Sequence, residues 1–296
     1  MADPTLTSIA STQGDALAMH DWPVPLGAPI RGVVVVLHSV GEHAARYEDV
    51  ARRLNQWGFS VRGYDQYGHG ESVGVRGDLP ADDRLLADLA AVIDDTRMRM
   101  DDRLPLILMG HSVGALVAAR LVTLKMRRAE GLVMASPALR VNLPWVRRML
   151  VRVLHRVAPR VRLASGLRRR YLTHDQAVVD AFRRDPLAHG LVSARLGYFV
   201  LGAGPAVLAC APRWRLPTLV LYGGQDRLID PGGSRDFTAA APVEWVTAHA
   251  FPLHFHELFN ELEREPVFDV LHDWLVARFP PILRAFTGEP LLAGRI

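Results

Sequence analysis

Leu106-Ile107-Leu108-Met109-Gly110-His111-Ser112-Val113-Gly114 is the stretch on which the reading of this chain turns. Its first four residues are apolar without interruption, which suits a strand buried on both faces, as in a parallel sheet. Val113 to Met126 carries a helical pattern, so Gly110-x-Ser112-x-Gly114 sits in a strand–turn–helix. A serine on such a turn exposes its hydroxyl at the sheet edge, and the flanking glycines let backbone and helix approach without a clash from Cβ. The helix start also offers free N–H groups to a developing negative charge. A bare G-x-S-x-G arises by chance in roughly one protein in ten of this length, so its place between strand and helix is what makes it specific.

The same alternation extends in both directions. Gly32 to Leu37 and Phe59 to Gly63 read as buried strands, with a helix over Tyr47 to Trp57 between them that Gly58 stops. Ala81 to Met100 reads as a long amphipathic helix, Gly131 to Ala135 and Thr218 to Tyr222 as strands, the region around Val243 to Thr247 as another, and Pro266 to Phe279 as a closing helix. Strands and helices taking turns predict an α/β fold with a mostly parallel central sheet and helices on both faces. From about Leu139 to Pro217 strand-like runs disappear and arginine-rich helical patterns take over. The expected organisation is a catalytic core of residues 1–138 and 216–296 with an inserted helical lid, or cap, of residues 139–215. The tail after Pro280 is rich in Pro and Gly and reads as surface packing.

Composition bounds the rest. Of the 296 residues 49% are hydrophobic and 22% charged, a balance that allows a large core and excludes global disorder. The net charge of +4 rests on arginine, since Lys125 is the sole lysine. No stripe of basic residues interleaved with stacking aromatics appears, which argues against nucleic-acid binding. Cys210 is the only cysteine, so no intrachain disulfide can form. Met1 to Gly14 lacks a basic start and an apolar core, and no run of about 18 to 20 uninterrupted apolar residues is seen. The expectation is a cytoplasmic protein.

A serine hydroxyl is a poor nucleophile near neutral pH and needs a general base, itself held in the right tautomer by a carboxylate. On a strand–turn–helix elbow of this kind the chain order is serine, acid, histidine. Tyr222-Gly223-Gly224-Gln225-Asp226 follows a buried strand, which puts Asp226 in the loop at the strand's carboxyl end. Asp230 is the alternative acid, although its place before Pro231 and a helix start suits a cap. For the base, Phe251-Pro252-Leu253-His254-Phe255-His256-Glu257 offers two histidines. His256, directly before a helical segment, is favoured over His254; His254 and His249 suit backbone-bonded wall or core positions.

With these positions in hand, the chain resembles the monoacylglycerol lipase and lysophospholipase family of α/β-hydrolases over nearly its whole length. His38-Ser39-Val40-Gly41-Glu42-His43 with Arg46-Tyr47 is similar to that family's H-G-x-G-E-H segment and its R-Y continuation. Tyr64-Asp65-Gln66-Tyr67-Gly68-His69-Gly70-Glu71-Ser72 resembles its D-x-x-G-H-G-x-S loop. His256-Glu257-Leu258-Phe259-Asn260-Glu261 and, in the lid, Asp185-Pro186-Leu187 look like further family segments. The resemblance implies the α/β-hydrolase fold, an oxyanion hole made of the Val40 and Val113 N–H groups, and hydrolysis without metal or organic cofactor. In one departure, Ser39 stands where the family has glycine; it either disturbs the turn or adds a hydroxyl near the oxyanion. The loop around His69 reads as structural, with Asp65 and His69 tying it together.

Within the lid, Val146, Leu150, Val153, Leu154 and Val157 recur at helical spacing, while Arg147, Arg148, Arg152, Arg156 and Arg160 fall largely elsewhere. The plainer reading is a stripe packed on the catalytic core with arginines in solvent; the sharper one is a face for an anionic bilayer or micelle. The implied reaction is fatty acid release from a monoacylglycerol or lysophospholipid-like ester. The alternatives are a short-chain esterase, a proline-type peptidase, or a hydrolase-like binding protein without turnover.

Overall fold

The computed structural model describes residues 5–25 and 27–282. Along the chain run β1 (Thr5–Ala10), β2 (Ala16–Trp22), β3 (Gly32–Leu37), α1 (Glu48–Gln56), β4 (Phe59–Tyr64), α2 (Arg84–Arg99), β5 (Leu106–His111), α3 (Val113–Thr123) and β6 (Gly131–Ala135). Then come α4 (Trp145–Val157), β7 (Arg162–Ala164), α5 (Gln176–Arg184), β8 (Leu191–Ser193) and α6 (Ala194–Cys210). β9 (Thr218–Gly223), α7 (Gly232–Ala240), β10 (Val246–Phe251) and α8 (Glu265–Arg278) complete the series. Eight strands form one sheet in the order β1-β2-β4-β3-β5-β6-β9-β10. β1 and β2 pair antiparallel, β2 joins β4 antiparallel, and every other neighbour is parallel. This is the α/β-hydrolase fold.

The valine-rich centre explains itself. All residues of β3, β5 and β6 are buried, so neither face tolerates polar side chains and the alternation of a solvent-facing strand is lost. Val33, Val35 and Leu37 join the core beneath α2 and α3, while Val34 and Val36 join the one beneath α1 and α8. Each such side chain contributes about 1.5–3 kcal/mol by leaving water.

Four expectations from the sequence are corrected. The N-terminal hairpin of β1 and β2 was not read at all, because β1 is exposed at five of its six positions and carries little hydrophobic pattern. β10 starts at Val246, three residues later than expected; Pro242 caps the preceding turn by accepting from the Trp245 and Val246 N–H groups. The lid region is not free of strands, since β7 and β8 pair antiparallel there. Finally, Ala194–Arg213 spans 20 residues at mean hydropathy 1.4, long and apolar enough by length and composition to cross a membrane; Arg195 and its glycines hid that character in the sequence. In the fold, α6 packs on α3 and α4, and Gly204 brings it so close that a Cβ would overlap the Leu139 carbonyl. Most of the Pro- and Gly-rich tail lies outside the described residues.

Between β6 and β9 the chain meets the loops that follow β3 and β4, and this stretch divides into two parts. The inner part is bolted down. His189 N–H donates to Gly41 O at 2.9 Å and Ser193 N–H to Gly77 O at 2.8 Å. Gly41 and Gly77 have positive φ, and a Cβ on either would overlap the His189 or Leu191 carbonyl. Arg195 adds hydrogen bonds to the Leu79 and Pro80 carbonyls. The outer part is α4, which has no buried residue: Trp145 is 76% exposed and Val157 72%. Its apolar stripe is therefore not packed on the core, contrary to the plainer sequence reading.

Candidate active site

β5 delivers Ser112 at φ 52° and ψ −113°, a conformation that costs a non-glycine residue about 1–3 kcal/mol. Neighbouring backbone over-determines the turn. Ser112 N–H donates to Ala135 O at 2.9 Å, and Ser112 O accepts from Leu116 N–H and Ala138 N–H, each at 3.1 Å. A Cβ at Gly110 would overlap Ala115 N, and one at Gly114 would overlap Leu37 O, so both motif glycines are sterically required. Val113, the first residue of α3, has an N–H with no partner inside the helix.

Asp226 lies beyond β9, where Leu228 N–H and Ile229 N–H donate to its Oδ1 at 2.8 and 3.0 Å. Its Oδ2 is 2.6 Å from His256 Nδ1. An ionised carboxylate only accepts, so Nδ1 carries the proton and Nε2 is left with a free lone pair. Burial raises the Asp226 pKa, but the His256 imidazole and the two backbone donors outweigh it and hold the pKa below the usual carboxylate value. For His256 burial pulls downward, while Asp226, Glu257 and Glu42 together lift the pKa above the ordinary imidazole value. Ser136 Oγ donates to the His256 carbonyl at 2.7 Å and fixes its loop.

The competing candidates go elsewhere. Asp230 Oδ1 accepts from Gly232 N–H at 2.8 Å at the start of α7. His254 Nε2 meets the Glu263 carbonyl at 2.9 Å. His249 lies on edge strand β10, its ring 4.6 Å from that of Phe251. Asp65 accepts from Ala44 N–H at 2.7 Å and Glu71 N–H at 2.8 Å, and His69 Nδ1 meets the Tyr67 carbonyl at 3.0 Å, so these two tie their loop together.

The segment after β3 is held from both ends. His38 Nδ1–H donates to Ser39 O at 2.6 Å, and its Nε2 accepts from Gln66 N–H at 2.9 Å. Burial keeps this imidazole neutral by lowering its pKa. Ser39 N–H donates to Glu42 Oε1 at 2.6 Å. Gly41, at φ 82°, takes the left-handed position of the turn, whereas Ser39 is not among the residues of positive φ. The serine is accommodated without backbone strain.

Four side chains behind this loop went unassigned in the sequence. Arg46 pairs with Glu42 and, at 2.9 Å, with Glu257, and Tyr47 OH donates to Glu42 Oε1 at 2.9 Å. Burial opposes the charge on Glu42, yet Arg46 and the nearby histidines bring its pKa down to about 2. Arg46 thereby joins the loop after β3 to the residue after His256 across 211 positions. The Arg46-Tyr47 continuation was a usable signal, but nothing in its spacing names Glu257 as the partner. His111 was also missed as a neighbour: its ring stands 4.6 Å from that of His256, and burial first, then His256, push its pKa down to about 4.

Ser112, Val40, Val113 and His256 line one cavity of about 490 Å³. The cap supplies its far wall through Leu143, Leu150, Leu163, Leu196 and Val200 among others. No hydrogen bond joins Ser112 Oγ to His256 among the described residues; contacts of this kind tighten when a substrate is seated. Among the described residues no group of three His, Cys, Asp or Glu side chains is arranged to hold a metal ion.

Comparison with known proteins agrees with this geometry. The profile of the family described as serine aminopeptidase, S33, matches residues 28–263. A monoacylglycerol lipase of Mycolicibacterium smegmatis is 32% identical over 83% of this chain and 89% of its own. A longer abhydrolase domain-containing protein of Dictyostelium discoideum is 25% identical over 93% of this chain, which spans only 29% of that relative. Among solved structures, a monoacylglycerol lipase of Paleococcus ferrophilus superposes with a TM-score of 0.78 at 29% identity, covering 94% of this chain and all of the other. An elbow serine, a hydrogen-bonded histidine–aspartate pair and these full-length similarities lead to one assignment: the chain belongs to the serine aminopeptidase S33 family of α/β-hydrolases and is a serine hydrolase of monoacylglycerol-lipase-like type.

Proposed function

We propose that this chain is a carboxylic-ester hydrolase that releases fatty acid from monoacylglycerol or lysophospholipid-like esters through an acyl-enzyme. The observation that carries the reading is the single cavity in which Ser112 and His256 face a wall of aliphatic cap residues. Ser112 Oγ attacks the ester carbonyl while His256 Nε2 takes its proton, and Asp226 steadies the imidazolium. The Val40 and Val113 N–H groups hold the oxyanion, each worth about 100- to 1,000-fold in rate. His256 then protonates the departing alcohol, and a water activated by the same ring frees the fatty acid.

An aminopeptidase would need a carboxylate for the substrate's free amine. The two acids in the cavity wall, Glu42 and Glu257, are both already engaged by Arg46, and Glu42 also accepts from Ser39 N–H and Tyr47 OH, which favours an ester over a peptide. The exposed apolar stripe of α4, flanked by Arg147, Arg148, Arg152 and Arg156, suits peripheral docking on an anionic lipid surface from which such a substrate is drawn. Leu150 and Val151 on the same helix reach the cavity, so entry lies beside the docking face.

The test is fatty acid release by wild type and Ser112→Ala from monoacylglycerols, lysophospholipids and short nitrophenyl esters under one set of conditions. Turnover by wild type alone supports the reading, and the best substrate fixes the class. Absence of ester hydrolysis by the wild type overturns it.

A further inference from the structure

Ser39 is the one place where the oxyanion-side loop departs from the family segment it resembles, and its surroundings give the extra hydroxyl a task. Both main-chain groups of Ser39 are already engaged, the N–H by Glu42 Oε1 and the carbonyl by His38 Nδ1–H, each at 2.6 Å. Ser39 nevertheless lines the catalytic cavity beside Val40, Ser112, Val113 and His256. Its hydroxyl is the one polar group left without a partner, since no hydrogen bond to Ser39 Oγ is present among the described residues.

Covalent geometry supplies the distance. Four bonds separate Ser39 Oγ from Val40 N, so the two atoms lie roughly 3–4.5 Å apart in any rotamer. The peptide unit between them is planar and trans, and His38 holds its carbonyl end. The Val40 N–H on that unit therefore points away from His38. A hydroxyl this near the N–H, on a residue that lines the same cavity, reaches the same oxygen atom by rotation about its Cα–Cβ bond. Neither rotation of the loop nor strain is required, because Ser39 sits outside the positive-φ region and Glu42, Arg46 and Tyr47 lock the turn from behind.

Resting on the ester-hydrolase reading above, we infer that Ser39 Oγ–H is a third oxyanion donor, acting with the Val40 and Val113 N–H groups on the carbonyl oxygen of the substrate. In the acylation step the Ser112 Oγ–C bond forms, the carbonyl π pair moves onto oxygen, and the Ser112 proton passes to His256 Nε2. Ser39 keeps its own proton and shares it with the oxyanion. When the intermediate collapses, the electron pair returns, the bond to the alcohol oxygen breaks, and His256 protonates that oxygen. The hydrogen bond from Ser39 is strongest in the charged intermediate, so its effect belongs to kcat more than to KM.

The experiment compares wild type, Ser39→Ala, Ser39→Gly and Ser39→Thr on a soluble nitrophenyl ester, with Ser112→Ala as the baseline. The expected result is a fall in kcat of about 10- to 100-fold for the alanine and glycine variants, with KM within a few-fold and threonine close to wild type. This lies below the loss of a backbone donor because a hydroxyl must first be fixed in one rotamer. Affinity for a trifluoromethyl ketone, which adds to Ser112 as an anionic hemiketal, should fall by a similar factor, while the thermal midpoint stays in place. Alanine and glycine variants within twofold of wild-type kcat overturn the inference and leave the ester-hydrolase reading intact. A loss in the alanine variant that glycine does not share overturns it too, because both lack the hydroxyl. A wild type no faster than Ser112→Ala overturns the reading on which it rests, and the inference with it.

Discussion

The two walls of the cavity are built on opposite terms. On the core side Ser112, Glu42 and His256 are each less than 5% exposed, and every one is tied to backbone or to a buried ion pair. On the cap side α4 has no buried residue and leaves Trp145, Val146, Met149, Leu150, Val153 and Val157 in solvent. Chemistry that needs sub-ångström placement is carried by loops on the sheet, while the exposed apolar surface is carried by a helix that packs along one side on α6 and turns the rest of its face to solvent. The contrast can be broken or sharpened by mutation.

Asp226→Asn strikes the most exacting point of the core wall. The amide can present an N–H to His256 Nδ1 and invite the wrong tautomer, so kcat should fall about 10⁴-fold while the fold persists. Ester turnover beside a thermal melt checks this; a loss below tenfold would detach Asp226 from the mechanism. Arg46→Ala comes next, leaving Glu42 and Glu257 buried without their cation. Stability should drop by about 3–5 kcal/mol in chemical denaturation. A change under about 1 kcal/mol would show that the core wall does not depend on this pair.

The same logic predicts little from the cap. Val153→Ser combined with Val157→Ser should shift stability by less than about 1 kcal/mol, because both are exposed. Hydrolysis of micellar monoacylglycerol should nevertheless fall more than that of a soluble nitrophenyl ester. Equal losses on both substrates would remove α4 from lipid docking.

The smallest effects concern pH. His256 must be neutral to act, and its pKa is raised, so kcat/KM should climb with pH around a midpoint above the ordinary imidazole value of about 6.5. His111 works in the other direction on stability. Its folded pKa is about 4 against about 6.5 unfolded, so between those values the unfolded chain binds more protons and stability falls as pH drops. His38 and His69, both lowered by burial, add to that loss, while Asp88, whose pKa burial raises to about 6, opposes it over the same range. The stability of His111→Gln should therefore fall less than that of wild type between about pH 6.5 and 4; equal slopes in chemical denaturation would contradict the His111 assignment.

What was legible in the sequence was whatever local sterics or burial stamp onto neighbouring residues. Gly110 and Gly114 are visible because a Cβ at either has nowhere to go, and β3, β6 and the Leu106 to Met109 run of β5 because burial on both faces leaves only apolar side chains there. Asp226 and His256 could be singled out because each follows a strand at the same end of the sheet. The rest depends on partners far along the chain. Arg46 meets Glu257 across 211 positions, and Asp185 in the cap meets His43 at 2.7 Å across 142; no pattern near either residue names the other. β1 and β10 were missed or misplaced for another reason, since edge strands exposed along most of their length carry no hydrophobic signature.

Gly41 and Gly77 set a limit on how caps can be traded between relatives. The seam that looks natural, where the chain leaves β6 and returns to β9, would bring foreign carbonyls against two positions with no room for adjustment. A chimera with crossovers at about residues 141 and 188 would keep 189–196 with the core they are moulded to, and import only the part that touches solvent and substrate. Recombined hydrolases joined at the outer seam should misassemble, and those joined at the inner one should fold.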